Sequence, residues 1–295
     1  MVNLISQHKP VLILGAGAFF IDRYEENGKV RGAETYVGDT VAATIGATTE
    51  RQTVFSGDGA VATKIIDKVT SVDRTLGITP QDATLDNIAL FLIASKPAKI
   101  SQSSGDIVTE FNIPLGADDR TYFQLGAAAT NPAGRPKFAI ASDTPIVLAS
   151  GFESDKQTAG TFAAVTLAAA DFELDRINGR IRFMSAGLGK LVGDDPGRAV
   201  KCKVTILTGK AGTSPEFQRV AVDAAARQVR VAVRYIEDAD EGVEGRNIYI
   251  PQASVSPAGE ASLKSRDTPQ QFPLTLAIED PGSGLAQIYV DGVPA

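Results

Sequence analysis

The stretch from residue 36 to residue 78 reads as one long β ribbon: an alternating strand, a glycine-rich tip and a returning strand. Residues 36–49 place Val37, Val41, Ala43, Ile45 and Ala47 on one face and Thr40, Thr44 and Thr48 on the other. Such alternation describes a strand with one face buried and one wetted. Residues 50–63 are glycine-rich at their middle, with Ser56-Gly57-Asp58-Gly59 as a tip, and residues 64–78 form the returning strand. The loop is long for a hairpin. Loops of that length tend to carry function, although an ordinary exposed loop has the same composition. Val54 and Phe55, apolar beside a polar tip, suit contact with another surface.

The rest of the chain is also punctuated for strands. Residues 11–24 read as a strand, Glu25-Glu26-Asn27-Gly28 as a hairpin turn, and the chain then returns toward Tyr36. Asn178-Gly179 closes a second hairpin, in which Ile181 and Phe183 alternate with Arg180 and Arg182. Near the end, 247–250 and 253–255 form a strand and Ser256-Pro257-Ala258-Gly259 a tight turn. A strand at 260–263 follows, then a polar break, then alternation at Phe272, Leu274, Leu276 and Ile278. One helix is expected. Thr79-Pro80-Gln81-Asp82 reads as its capped start, and Leu85, Ile88, Ala89, Leu92 and Ile93 as its apolar stripe.

Residues 138–212 hold a further set of segments. These are an Ala/Thr-rich strand (161–170), the 171–183 hairpin, a Gly-rich loop (185–197) and a Val/Ile-rich strand (200–207). They form either a small outward-facing β subdomain or a continuation of the main sandwich, which comprises 1–137 and 213–295.

Catalytic chemistry finds few carriers. The only histidine, His8, lies in a polar N-terminal segment, so a nucleophile–base machine has no base. Cys202, the single cysteine, alternates with Val200, Val204 and Ile206 and reads as a small core residue. It excludes an internal disulfide framework and a cysteine-based zinc site. Five carboxylates fall in residues 237–244 without the spacing of a calcium loop, which favours a solvated loop. Asp118-Asp119 and Asp194-Asp195 lie close to Gly or Pro and read as loop residues. Gly15 and Gly17 follow an apolar run as a dinucleotide turn would, but Phe20 occupies the third glycine position and no helical periodicity follows. Gly209-Lys210 resembles the close of a phosphate loop, yet Val204 and Ala211 stand where that loop needs a glycine and a hydroxyl. No cofactor and no metal are expected. Nor is any 18-residue apolar span or secretory signal present, so a soluble cytoplasmic product is expected. The net charge of −6 gives no basic surface for gripping DNA; it serves solubility, or a wall that repels phosphate.

Several segments, taken in order, resemble a known family. The IPQASVSPAGE turn with its flanking strands, the YFQLG…NPAG stretch (residues 122–134), the DFELD…NGRIRF hairpin and the LDNIALFLIA helix core are similar to segments of the major tail tube proteins of long-tailed (siphovirus-type) bacteriophages. The resemblance implies a mainly β, tail-tube-type sandwich or barrel subunit with a long hairpin and one packed α-helix. Hexameric rings with a continuous inner β-barrel would stack into a tube in the virion tail, assembled in the host cytoplasm. The partners implied are further copies, the tape measure protein and then DNA in the lumen without specific binding, and tail terminator and distal tail proteins at the ends. No membrane is involved. Under this reading Val54, Phe55, Ser56, Gly57, Asp58 and Gly59 form the ring-stacking loop. Thr40, Thr44, Thr48 and Glu50 line the lumen from one strand, and Asp67, Ser71 and Asp73 from the other, where Val69 shares their face. A different virion or surface β protein, such as an adhesin or fibre module, is the alternative. A nucleotide-dependent oxidoreductase built on Gly15 and Gly17 is a further one.

Overall fold

A computed structural model describes residues 16–24, 33–59, 61–100, 106–114, 116–129, 131–136, 140, 146–150, 162–192, 199–205, 217–224, 228–238, 245–282 and 284–291. In chain order the elements begin with β1 (Gly17–Arg23), β2 (Thr35–Tyr36), β3 (Thr40–Phe55), β4 (Lys64–Pro80) and α1 (Leu85–Phe91). There follow β5 (Ala98–Lys99), β6 (Asp106–Asn112), β7 (Tyr122–Gln124), β8 (Ile146–Ser150), β9 (Phe162–Ala164), β10 (Phe172–Asp175), β11 (Arg180–Phe183) and α2 (Ser185–Val192). The last are β12 (Ala199–Thr205), β13 (Gln218–Arg219), β14 (Val229–Glu237), β15 (Asn247–Pro257), β16 (Leu274–Ile278) and β17 (Tyr289–Asp291). The protein is mainly β and its strand pairings are antiparallel. It divides into two compact units, Met1–Pro97 with Val220–Ala295, and Ala98–Arg219. The second unit thus starts well before the boundary expected at residue 138, since β6 and β7 pair with β12 and β11 rather than with strands of the first unit.

The first unit is one sheet in the order β2-β1-β14-β15-β16-β4-β3, with β17 pairing β15 beside β16. Alternation fills its inner face: Phe19 and Ile21 from β1, Val229, Val231 and Val233 from β14, Ile250, Ala253 and Val255 from β15, and Leu274, Leu276 and Ile278 from β16. Each buried Val, Ile or Leu contributes about 1.5–3 kcal/mol. The sheet's two edge strands are consecutive in the chain. Only residues 37–39 separate β2 from β3, and so short a link spans at most about 14 Å. The sheet must therefore curl until its edges approach, although it does not close into a barrel. Gly38 makes this link possible. Its φ is +91°, and a Cβ there would lie 2.0 Å from an Asp82 carboxylate oxygen. Pro251 sits where β14 and β15 change register and where β15 passes from β17 to β16, a place that needs no N–H donor.

Near its C-terminal end the sheet departs from expectation. β15 runs through Pro257 instead of turning at 256–259, no strand forms at 260–263, and β15 pairs directly with β16 through Ser256 and Thr275. The alternation at Phe272, Leu274, Leu276 and Ile278 does mark buried residues.

The helix start also moves. Thr79 and Pro80 remain in β4, opposite Ala42 and Thr40, and the Pro80 carbonyl accepts from the Phe272 amide at 3.0 Å. The cap is Thr84, whose hydroxyl accepts from the Asn87 amide at 3.2 Å. Asn87, Ala89 and Leu90 face inward, while Leu85 and Leu92 are exposed. Asn87 donates to the carbonyls of Val37 (2.7 Å) and Asp82 (2.8 Å), tying α1 to the link between the sheet edges. The helix ends with Ile93 at φ 51° and an Ala94 amide to Ala89 carbonyl bond of 2.8 Å, a Schellman closure with isoleucine in the usual glycine position. The conformation costs about 1–2 kcal/mol, offset by packing of Ile93 against the core.

In the second unit the Asn178-Gly179 hairpin forms as expected, with Gly179 at φ +67° and β10 and β11 in register from Phe172↔Phe183 to Asp175↔Arg180. β7 adds to β11, and Phe123, Ile181, Phe183, Ile113 and Leu125 form a separate core. The Gly-rich loop expected from residue 185 is instead the helix α2. Glycine is a poor helix former, but a Cβ on Gly187 would fall 2.2 Å from the Asp171 carbonyl oxygen, so close packing selects it. Lys190 Nζ, one turn on, meets the Asp171 carboxylate at 2.5 Å. Of the described part of the Ala/Thr-rich segment, residues 162–170, only Phe162–Ala164 is strand.

Gly38→Ala is expected to lower the unfolding free energy by about 1–3 kcal/mol, from backbone strain and the Asp82 clash. Gly57→Ala, where nothing lies within 4 Å, leaves it nearly unchanged. Denaturant unfolding of both variants checks the pair.

Candidate assembly surface

β3 and β4 outrun the sheet that holds them. β16 pairs with β4 at Thr75, Leu76, Gly77 and Ile78, so among the described residues Lys64–Arg74 has β3 as its strand neighbour on one side and none on the other. β3 is the edge of the sheet along its whole length. From Ala43 to Phe55 the ribbon reaches about 40 Å at strand rise. Every residue from Val41 to Phe55 is exposed, as is every residue of β4 from Lys64 to Thr70. A two-stranded ribbon wetted on both faces is marginal alone, and its free N–H and C=O groups are a template for another strand.

The register decides which side chains share a face. Thr44, Thr48 and Glu50 oppose Gly77, Asp73 and Ser71, so these five proposed lumen residues, Thr44, Thr48, Glu50, Ser71 and Asp73, form one polar row. Ser71 Oγ donates to Glu50 Oε2 at 3.1 Å across it. Two members of the expected set leave the row. A bulge between Thr40 and Ala42 pairs Thr40 with Pro80, in the row of Leu76 and Ile78. A second bulge, at Thr70, pairs Asp67 with Thr53 and Val69 with Arg51, which moves both to the opposite face. Arg51 Nη1 accordingly meets Asp67 Oδ2 at 3.1 Å and Lys64 Nζ meets it at 2.7 Å. The Lys64 hydrogen bond is the main cause holding the Asp67 carboxyl below its usual range. Across residues 40–80 the acids Glu50, Asp58, Asp67 and Asp73 are matched by the bases Arg51, Lys64, Lys68 and Arg74, so the ribbon is electrically neutral.

Val54 and Phe55 still belong to β3, opposite Ile66 and Lys64, and the Ser56 amide donates to the Thr63 carbonyl at 2.7 Å. Ser56, Gly57, Asp58 and Gly59 follow as the tip. Phe55 is 55% exposed, Val61 78% and Ile65 62%, and Val54 and Ile66 are exposed beside them. The expected ring-stacking set holds Val54 and Phe55 of this cluster. Val61, Ile65 and Ile66 flank the same glycine-rich turn from the other side, and that symmetry was the available signal.

At the root of the ribbon the curled sheet leaves a cleft of about 530 Å³ lined by β3 and by β1, β14 and β15. Phe19, Leu76, Val233 and Ile250 form its buried floor, with Tyr235 and Ile248 half-buried in its wall. Glu237 and Arg246 stand at its rim. Glu237, expected in a solvated loop, is buried and takes a bidentate pair from Arg246, Nη2 to Oε1 at 2.7 Å and Nε to Oε2 at 2.9 Å. Those hydrogen bonds hold its carboxyl below the ordinary range.

Other expected features have less to offer. Gly17 opens β1, which runs on as a strand against β14, and the Tyr235 ring fills the space a Cβ would need, so no helix follows to meet a pyrophosphate. Asp118 organises a turn, accepting from the Arg120 amide at 3.0 Å, and Asp119 follows it. Cys202 pairs through its backbone with Thr109 and Val147 positions of β6 and β8. His8, Gly15, Asp194-Asp195, Gly209-Lys210 and residues 239–244 lie outside the described residues. Among the described residues no group of His, Cys, Asp and Glu could hold a metal ion, and no helix is long and apolar enough to cross a membrane.

A carboxylate with a depressed folded pKa contributes stability above its unfolded value and loses it as pH falls through the folded one. Glu237→Gln is therefore expected to cost about 1–2 kcal/mol at neutral pH. It should also flatten part of the stability loss below about pH 4.5. Unfolding midpoints across that range test this, and an unchanged acid slope would contradict it.

Comparison with protein-family models and with curated proteins finds no match to this chain.

Proposed function

We propose that this chain is a structural subunit that polymerises through its β3–β4 ribbon, as a tail-tube-type virion protein. Hexameric rings would close an inner β-barrel from the ribbons of neighbouring copies and stack into a tube that conducts DNA during ejection. The observation that carries this reading is the ribbon itself: about 40 Å long, wetted on both faces, open along β3 and along the outer part of β4. Pairing its edges with other copies satisfies the backbone groups and removes an aggregation hazard. A head-to-tail contact that closes gives a ring, and one that does not gives a filament. The row of Thr44, Thr48, Glu50, Ser71 and Asp73 supplies a polar, weakly acidic lining past which phosphate slides without being held. The order of sequence motifs described above supports the family, and tape measure, terminator and distal tail proteins are the further partners it brings.

Negative-stain microscopy of the purified protein tests the reading. Hollow tubes or six-fold rings are expected; a monodisperse monomer at all concentrations would rule it out, and trimeric fibres would favour the adhesin alternative. Removing residues 55–60 at the tip should leave a folded monomer that forms no tubes. In hydrogen exchange, those amides of Lys64–Arg74 that point away from β3 should be fast in the monomer and slow at least tenfold on assembly, as the free edge becomes paired.

A further inference from the structure

The ribbon's tip and the cleft at its root are both apolar, and one molecule cannot bring them together. Phe55, Val61 and Ile65 stand about 40 Å along a continuous ladder from Leu76 and Ala43, which line the cleft. Resting on the self-assembly reading above, we propose that the tip of one copy seats in the root cleft of the next, with Phe55 as the anchor between Tyr235 and Ile248 over the floor of Phe19, Leu76 and Val233. The fit is one of kind and size. The cleft holds about 530 Å³ and has an apolar floor; of its charged lining residues, Glu237 is already neutralised by Arg246 and Asp39 is exposed. The tip offers an exposed aromatic ring flanked by branched aliphatic side chains, the composition of an interface anchor. Beside the tip Lys64 is already paired with Asp67, and Asp58 is exposed at the glycine turn. Tip and cleft are different surfaces, so the contact is heterologous and propagates along the ribbon direction instead of ending at a dimer. Because each tip lands at the equivalent root, the layer spacing along the ribbon cannot exceed the root-to-tip distance of about 40 Å.

Paired cysteines test the seating. In a Cys202→Ser background, Phe55→Cys and Ile248→Cys are combined in one chain, assembled under reducing conditions and then oxidised. The expected result is a ladder of dimers, trimers and longer species on a non-reducing gel. An equal mixture of the two single variants should stop at dimers, and either variant alone should give none. A second pair, Val61→Cys with Tyr235→Cys, reads the same contact if the first pair prevents assembly. Assemblies that form by microscopy but give no ladder with either pair overturn the seating and leave self-assembly standing. Cross-linking of Phe55→Cys with itself overturns it in favour of a tip-to-tip contact, as does a layer spacing well above about 40 Å. Wild-type protein that never assembles overturns both.

Discussion

The open edges of the β3–β4 ribbon are the constraint on which the rest of this protein depends. Each strand residue carries a donor and an acceptor, and in a folded chain nearly all of them find partners or water. Here a sheet with a well-filled inner face at Leu76 and Ile78 sends two of its strands far past the point where a third neighbour, β16, stops. Beyond that point the ribbon has no core of its own. It gains no burial from Val54, Phe55, Ile65 or Ile66, all exposed. Among the described residues nothing in the isolated chain offsets the cost of ordering this extension, and its open edges and apolar tip are left exposed.

The root of the ribbon is built to hold it firmly. The edge strands β2 and β3 are joined by three residues, and Gly38 adopts a left-handed φ so that this link can pass Asp82. Asn87 on α1 then hydrogen-bonds the same link through Val37. Helix, link and both sheet edges are thus tied together. The cleft is a by-product of the same geometry, since a sheet curled by so short a link brings its edges close without pairing them.

Much of this architecture is legible in the residues. Alternation located β3, β4 and β16, Asn178-Gly179 located the β10–β11 hairpin, and the helical spacing near residue 88 located α1. The errors share a cause. Thr79-Pro80 looks like a helix cap, yet it stays in β4 because β3 and Phe272 supply partners that no local rule can see. Gly187 and Gly189 argue against a helix until Asp171 is found pressed against Gly187. Glu237 looks like one of five loop acids until Arg246, nine residues away, pairs with it. In each case a contact distant in sequence overrode the local preference.

The sequence by itself determined the strand-rich class, the long hairpin and its apolar-flanked glycine tip, because period-2 alternation and turn chemistry are local properties. It also determined that the ribbon is neutral and that the chain carries a single histidine and a single cysteine. Which side chains face which way along the ribbon was decided only by the tertiary structure. One extra residue at Thr70 and another near Val41 reverse the parity of everything beyond them, so Asp67 joins Arg51 and Thr40 joins Pro80. A bulge leaves no mark in composition; it exists only in the register between two strands, and the partner strand sets that register.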